Sequence, residues 1–116
     1  MAEQGNAIGQ WRLGAMYEFG KGVEEDHEKA VEWYRKSAEQ NDAIGQNFLA
    51  CAYMEGEGVP QNFIEARAWF SLSQSNGDGD AEGKMSELDA KMTAESISKS
   101  QERAKELQAE IEERNS

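Results

Sequence analysis

The chain has 116 residues, with 12 Lys and Arg against 23 Asp and Glu, which gives a formal net charge of −11. This length is typical of a single domain, and the acidity opposes the phosphate contacts that supply most nucleic-acid affinity, so we expect no nucleic-acid partner. We expect no membrane association either, because anionic surfaces repel the chain and no run of 18 apolar residues is present.

The chain contains an internal repeat of 36 residues. Residues 2–37 align with residues 38–73 without a gap, and residues 74–116 follow as a divergent third unit. Because chance gives only about two or three matches in such a window, the duplication predicts a repeat architecture in one domain, 1–116. The identical pairs are Ala2/Ala38, Glu3/Glu39, Gln4/Gln40, Ala7/Ala43, Ile8/Ile44, Gly9/Gly45, Gln10/Gln46, Leu13/Leu49, Tyr17/Tyr53, Gly20/Gly56, Gly22/Gly58, Val23/Val59, Ala30/Ala66, Trp33/Trp69 and Ser37/Ser73.

Each repeat is predicted to form two antiparallel helices. The first helices begin after N-caps and end at glycines suited to left-handed C-caps, and the second helices follow further N-caps. Two short helices cannot bury their apolar stripes alone, so neighbouring pairs must stack. The predicted N-caps are Asn6, Asp26, Asp42 and Asn62, the C-caps are Gly20 and Gly56, and the second-helix stripes are Ala30, Trp33, Tyr34 and Ser37, and Ala66, Trp69, Phe70 and Ser73.

The third unit begins after a turn cluster at 76–80. A helical pattern follows at Ala81, Met85, Leu88 and Met92. Thr93 is then the predicted N-cap of a capping helix over 94–114, about 30 Å long at 1.5 Å per residue. Its thin apolar stripe is Ile97, Ala104, Leu107 and Ile111, and pairs four residues apart are expected for Glu95 with Lys99 and Glu110 with Arg114.

The doubled pattern A-x-x-Q-x-x-L-x-x-x-Y-x-x-G-x-G-V, followed by A-x-x-W-[YF], resembles the Sel1-like repeat, a relative of the tetratricopeptide repeat. The first copy matches at Ala7, Gln10, Leu13, Gly14, Met16, Tyr17, Gly20, Gly22, Val23, Asp26, Lys29, Ala30, Trp33 and Tyr34. The second matches at Ala43, Gln46, Leu49, Tyr53, Gly56, Gly58, Val59, Ala66, Trp69 and Phe70, and departs at Ala50 and Ala52, where the family prefers Gly and Met. Residues 81–104 also look like the helical ending of such repeats.

This resemblance implies an all-α, right-handed solenoid of about three helix pairs that binds proteins and has no intrinsic reaction. Secreted family members with disulfides carry paired cysteines in each repeat, whereas Cys51 is the single cysteine here. We therefore expect a cytoplasmic location. Secretion or export to the periplasm would require a signal removed from ahead of this sequence.

Other chemistry has weaker support in the sequence. The two G-x-G motifs follow helices, which favours helix termination over phosphate binding. Residues 78–89 have the spacing of a calcium loop, but Glu82 and Asp89 suit that loop poorly, and a helix explains the same residues. Cys51 and the single histidine, His27, lie about half a repeat apart in sequence, and a Cys–His pair needs hydrogen-bond contact and a third orienting group. No cluster of His and Cys has zinc spacing, so we expect no catalytic residue, metal or cofactor.

A partner-binding face is predicted on the first helices, opposite the packing stripe of Gln10, Leu13, Gly14 and Tyr17. This face is largely apolar and suits an extended or helical peptide with apolar anchors. The alternative is that Ile8, Ile44 and Phe48 are packed between helices. For Gln10 and Gln46 we expect structural hydrogen bonds. The predicted binding residues are Ile8, Trp11, Arg12, Ala15 and Phe19 in the first repeat, and Ile44, Asn47, Phe48, Cys51 and Glu55 in the second.

These observations favour an adaptor or regulator that binds a protein or peptide, as a monomer or weak homodimer. One alternative is a self-associating structural spacer, or a part of a longer repeat array. A more remote alternative is a hydrolase or metal-dependent enzyme.

Overall fold

The computed structural model describes residues 5–116 and consists of six helices, with no strand in that part of the chain. The first four positions, including the predicted repeat matches at Ala2, Glu3 and Gln4, lie outside the described residues. The helices are α1 (Ala7–Phe19), α2 (His27–Ala38), α3 (Ala43–Glu55), α4 (Phe63–Ser75), α5 (Asp80–Asp89) and α6 (Ala94–Arg114). The all-α architecture of stacked helix pairs confirms the predicted fold class.

The helix boundaries follow the predicted caps. Asn6, Asp26, Asp42 and Asn62 each accept a hydrogen bond from a backbone N–H in the first turn of the helix that they precede. Gly20 and Gly56 end α1 and α3 in the left-handed conformation, with φ of 64° and 71°. Local sequence therefore determines where these four helices start and where the first helix of each pair stops.

Equivalent hydrogen bonds recur in the two repeats. Ser37 Oγ donates to the Ala7 carbonyl at 2.8 Å, and Ser73 Oγ donates to the Ala43 carbonyl at 2.7 Å. Each bond ties the end of a second helix to the start of the first helix of its own pair. Since both serines are fully buried, these hydrogen bonds fix the position of the second helix against the first in each pair.

The helices stack in sequence. The α1 helix packs on α2, α2 on α3, α3 on α4, and α4 on both α5 and α6. The core runs through these interfaces, and its largest fully buried side chains are Tyr34, Leu49, Trp69, Phe70 and Leu88. No helix in the described part of the chain combines the length and apolar character needed to cross a bilayer.

The third unit differs from the first two repeats. The α5 helix ends at Asp89, so Met92 packs against the core from the following turn rather than from the helix. The α6 helix has the predicted bounds and packs mainly on α4. The buried Arg67 guanidinium joins both helices to α4, because Nε donates to Asp89 Oδ1 at 2.6 Å and Nη1 to Ser100 Oγ at 3.3 Å.

The ion pairs predicted on α6 are only partly correct. Glu95 and Lys99 pair at 3.5 Å, as their spacing predicts. Arg114 does not pair with Glu110. It pairs instead with Glu39 at the end of α2, at 2.9 Å, and Asn115 Nδ2 donates to the Glu39 carbonyl at 3.0 Å. The end of α6 is therefore attached to the end of α2.

Candidate functional site

A cleft of about 330 Å³ lies between the first two repeats. We call it the inter-repeat cleft. Its walls come from four helices and the loop after α3. The lining residues are Glu18 of α1, His27, Ala30, Val31 and Tyr34 of α2, Phe48, Cys51, Ala52, Met54 and Glu55 of α3, Glu57 of the loop, and Lys84 of α5.

An aromatic stack forms the floor of the inter-repeat cleft. The Tyr34 and Phe48 rings are stacked with their centroids 4.8 Å apart, and the Trp11 ring, outside the lining, has its centroid 5.7 Å from that of Phe48. Gly14 makes room for this arrangement, because a Cβ there would lie 2.6 Å from Tyr34 Cδ1. Phe48 therefore lines the cleft and packs between helices at once, so the two roles considered for it are compatible.

A hydrogen bond across the first helix pair orients the tyrosine. Tyr34 Oη donates to Glu18 Oε1, which joins α2 to α1 at the mouth of the cleft. Burial raises the pKa of the Tyr34 hydroxyl, and the neighbouring Glu18 carboxylate raises it further. The phenol consequently remains a neutral donor and holds Glu18 at the cleft wall.

Cys51 lies half-buried in the cleft and is in reduced form. Its thiol donates to Asn47 Oδ1 at 3.5 Å, and Asn47 Nδ2 donates in turn to Asp78 Oδ2 at 2.8 Å. Burial raises the pKa of the Cys51 thiol to about 11, although the Lys84 ammonium opposes this shift. A thiol that stays protonated is a poor nucleophile, so Cys51 acts as part of the cleft wall.

The charged groups of the cleft are unbalanced. Three carboxylates, Glu18, Glu55 and Glu57, face a single ammonium, Lys84. Within residues 5–116, none of these four side chains has an opposite charge within the 4.0 Å of an ion pair. The cleft thus combines an apolar floor with an excess of unpaired negative charge.

The other predicted binding residues lie outside the lining of the cleft. Phe19, Ile8 and Ile44 are 60%, 46% and 44% exposed. The Arg12 guanidinium lies over the Trp11 ring, with Cζ 5.7 Å from the ring centroid, and Ala15 is half-buried. The structure therefore brings together Phe48, Cys51 and Glu55, with Trp11 and Asn47 behind them, and leaves the remaining predicted residues on the adjoining helix surfaces.

Sequence reasoning missed the part of the cleft that comes from α2 and α5. The prediction considered only the first helix of each repeat, whereas Val31 and Tyr34 belong to the second helix. Lys84 occupies the position 36 residues after Phe48, and Phe48 lies 36 residues after Arg12. Extending the repeat period into the third unit would have identified it.

The two repeated glutamines make structural hydrogen bonds, as predicted. Gln40 Nε2 donates to Gln10 Oε1 at 2.6 Å. Asn76, which is equivalent to Gln40, donates from Nδ2 to Gln46 Oε1 at 2.9 Å. Gln46 Nε2 also donates to the Ala38 carbonyl at 3.2 Å. Both glutamines thus join the ends of neighbouring helices.

The residues considered for a calcium loop serve the fold instead. Positions 80–89 are helical, Asp78 accepts hydrogen bonds from Ser73 and Asn47, and Asp89 pairs with Arg67. The carboxylates are therefore directed toward different partners rather than toward one point. His27 Nε2 lies 2.8 Å from Glu25 Oε2, so its local partner is a carboxylate.

Comparison with known proteins places this chain among helical repeat proteins. A family model for the Sel1 repeat matches residues 7–42 and 43–78, with the same 36-residue period. No curated protein matches the chain. The protein c5321, described as a protective antigen of uropathogenic Escherichia coli with an SLR fold, is 28% identical with a TM-score of 0.89, over 95% of this chain and 24% of that one.

Two further structures are similar. A Sel1 repeat protein from Oxalobacter formigenes is 33% identical with a TM-score of 0.72, over 90% of this chain and 45% of its own. The cysteine-rich protein B of Helicobacter pylori is 35% identical with a TM-score of 0.64, over 66% of this chain and 58% of its own. This chain therefore spans between about a quarter and three fifths of these structures. Because two consecutive matches cover more than half of its length, the chain belongs to the Sel1 repeat family.

Proposed function

We propose that this chain is a protein-interaction module that binds a peptide segment of a partner protein in the inter-repeat cleft. Sel1-like repeat proteins are typically protein–protein interaction scaffolds, which supports the general class. The observation that carries the proposal is the cleft itself, where Phe48 remains partly exposed between two packed repeats. Aromatic side chains in such concave sites supply much of the binding energy of peptide anchors.

The adjoining helix surfaces support binding of a segment longer than one residue. Ile8 and Phe19 on α1 and Ile44 on α3 expose large apolar side chains. Exposed apolar residues near a concave site are typical of interaction surfaces. An extended segment held in the cleft through one side chain would place its neighbouring residues against these surfaces.

The proposal predicts that Phe48→Ala weakens peptide binding. Peptides selected from a random displayed library against the wild-type protein would be measured by fluorescence anisotropy. Loss of an aromatic floor residue is expected to reduce affinity at least about tenfold, which corresponds to about 1.4 kcal/mol. Circular dichroism would verify that the variant remains folded, and Phe48→Leu would serve as the variant that preserves more of the core volume.

Phe63→Ala is the matched control for this experiment. Phe63 is also half-buried and packed against the core, but it lies outside the inter-repeat cleft. We expect the control to bind selected peptides with wild-type affinity. Equal losses in both variants, or no loss in either while both are folded, would contradict the assignment of the cleft.

A further inference from the structure

The inter-repeat cleft has an electrostatic character that bears on what it binds. Glu18, Glu55 and Glu57 provide three negative charges, and Lys84 provides one positive charge. Glu55 and Glu57 are exposed and have no ion-pair partner in the described part of the chain. A ligand with a cationic group would therefore find carboxylates that are free to pair with it.

The interior of the cleft adds a second requirement. Val31, Phe48, Ala52 and Met54 provide an apolar wall beneath the carboxylates. A volume of about 330 Å³ is at the small end of the range for ligand pockets, about 300–1,000 Å³. This space suits one long side chain and its neighbouring backbone better than the face of a whole helix.

One natural side chain has both the cationic group and the apolar stem that this cleft favours. Arginine has an apolar stem that can lie along a hydrophobic wall, and its planar guanidinium pairs with carboxylates through two hydrogen bonds. A purely apolar side chain would cover the carboxylates without giving them a partner, which costs free energy. An acidic side chain would be repelled by Glu18, Glu55 and Glu57.

Building on the proposed function, we propose that the cleft recognises an arginine side chain in an extended segment of a partner protein. The stem contacts Val31, Phe48 and Met54, and the guanidinium pairs with Glu55 and Glu57 at the rim. Lys84 lines the cleft from α5, and its positive charge disfavours the bound cation. Variants that neutralise Glu55 and Glu57 should therefore weaken binding, and a variant that neutralises Lys84 should strengthen it.

The first test compares synthetic versions of a selected peptide. Replacing arginine with citrulline preserves the shape of the side chain and removes its charge, so we expect affinity to fall about three- to tenfold, as for partly exposed ion pairs. Replacement by glutamate should lower the affinity further. If the selected peptides contain no basic residue, or if citrulline binds as well as arginine, the inference is wrong.

The second test changes the protein. Glu55→Gln combined with Glu57→Gln should weaken binding of the arginine peptide about three- to tenfold, whereas Lys84→Gln should strengthen it. The matched control is Glu112→Gln combined with Glu113→Gln, two exposed carboxylates near the end of α6. This control makes the same change in net charge away from the cleft, so little change in affinity is expected.

The outcomes separate this inference from the proposed function. Peptides that require Phe48 but show no preference for arginine would overturn the inference and leave the proposed function supported. Equal losses in the cleft pair and the α6 control would also overturn it, because only the net charge would then matter. If no peptide binds, the proposed function fails and the inference fails with it. If a peptide with lysine in place of arginine binds as tightly, the inferred preference for arginine over lysine is wrong.

Discussion

At the level of single residues, α3 packs tightly against the end of α2 at Gly45. A Cβ at this position would lie 2.6 Å from Ser37 Cβ and 3.0 Å from the Ala38 nitrogen. Ser37 is fully buried and holds the Ala7 carbonyl, so it has little freedom to move away. Gly45 is therefore required by the close packing of α3 on α2, not by its backbone conformation.

Gly45→Ala is predicted to destabilise the fold by about 2 kcal/mol, because α2 and α3 must separate to admit the methyl group. The measurement is the free energy of unfolding from urea titration followed by circular dichroism. Gly83→Ala is the control, since Gly83 lies within α5 and a Cβ there meets nothing within 4 Å. Because alanine has a higher helix propensity than glycine, this control should leave the free energy of unfolding unchanged or raise it by up to about 1 kcal/mol. If the two substitutions change the free energy of unfolding by similar amounts, close packing at Gly45 does not require glycine.

Among the helices, α6 covers one side of α4. Its inner face buries Ser100, Ala104, Leu107 and Ile111, while its outer face is dominated by exposed charged residues. Arg103 attaches this helix to Glu65 of α4 at 2.5 Å, and Arg114 attaches it to Glu39. A terminal helix with one polar face keeps the apolar surface of the last repeat out of water.

Ile111→Ala is predicted to lower the free energy of unfolding by about 2 kcal/mol, the lower end of the range for truncating a buried isoleucine. Ile111 is 2% exposed although it lies near the end of the chain. The control, Glu113→Ala, removes an exposed side chain from the same turn and should change stability by less than about 0.5 kcal/mol. Chemical denaturation of both variants gives the comparison, and an unchanged midpoint for Ile111→Ala would mean that the end of α6 does not contribute to the folded state.

At the scale of the whole molecule, each unit packs against its neighbours as well as within itself. The third unit contacts α4 through Arg67 and Arg103, and the end of α6 contacts the end of α2 through Arg114. Interfaces between neighbouring units couple their folding in repeat proteins. A chain of about three helix pairs with such attachments should therefore unfold as one cooperative unit.

This cooperativity can be measured with probes that report on different units. All three tryptophans, Trp11, Trp33 and Trp69, lie in the first two repeats, whereas circular dichroism also reports on α5 and α6. We expect the urea transitions by tryptophan fluorescence and by circular dichroism to coincide. A circular dichroism transition that begins at lower urea would mean that the third unit unfolds independently, contrary to the prediction.

Local sequence patterns predict the starts of the first four helices and both ends of α6. The caps at Asn6, Asp42, Gly20 and Gly56, and the bounds of α6, follow from local patterns because capping depends on residues within one helical turn. The duplicated pattern also predicted the stacked architecture, since each pair must cover the apolar stripe of the next.

The set of side chains that line the cleft depends on how the helices pack together. The cleft walls come from α1, α2, α3 and α5, so Glu18 and Tyr34 meet Phe48 through stacking, whereas the position of Lys84 follows the 36-residue period. Likewise, Arg114 pairs with the distant Glu39 instead of Glu110 on its own helix. The physical reason is the sequence distance over which each interaction acts. Caps and periodicity within one helix depend on residues a few positions apart, whereas a cleft depends on how the packing of buried faces positions separate helices.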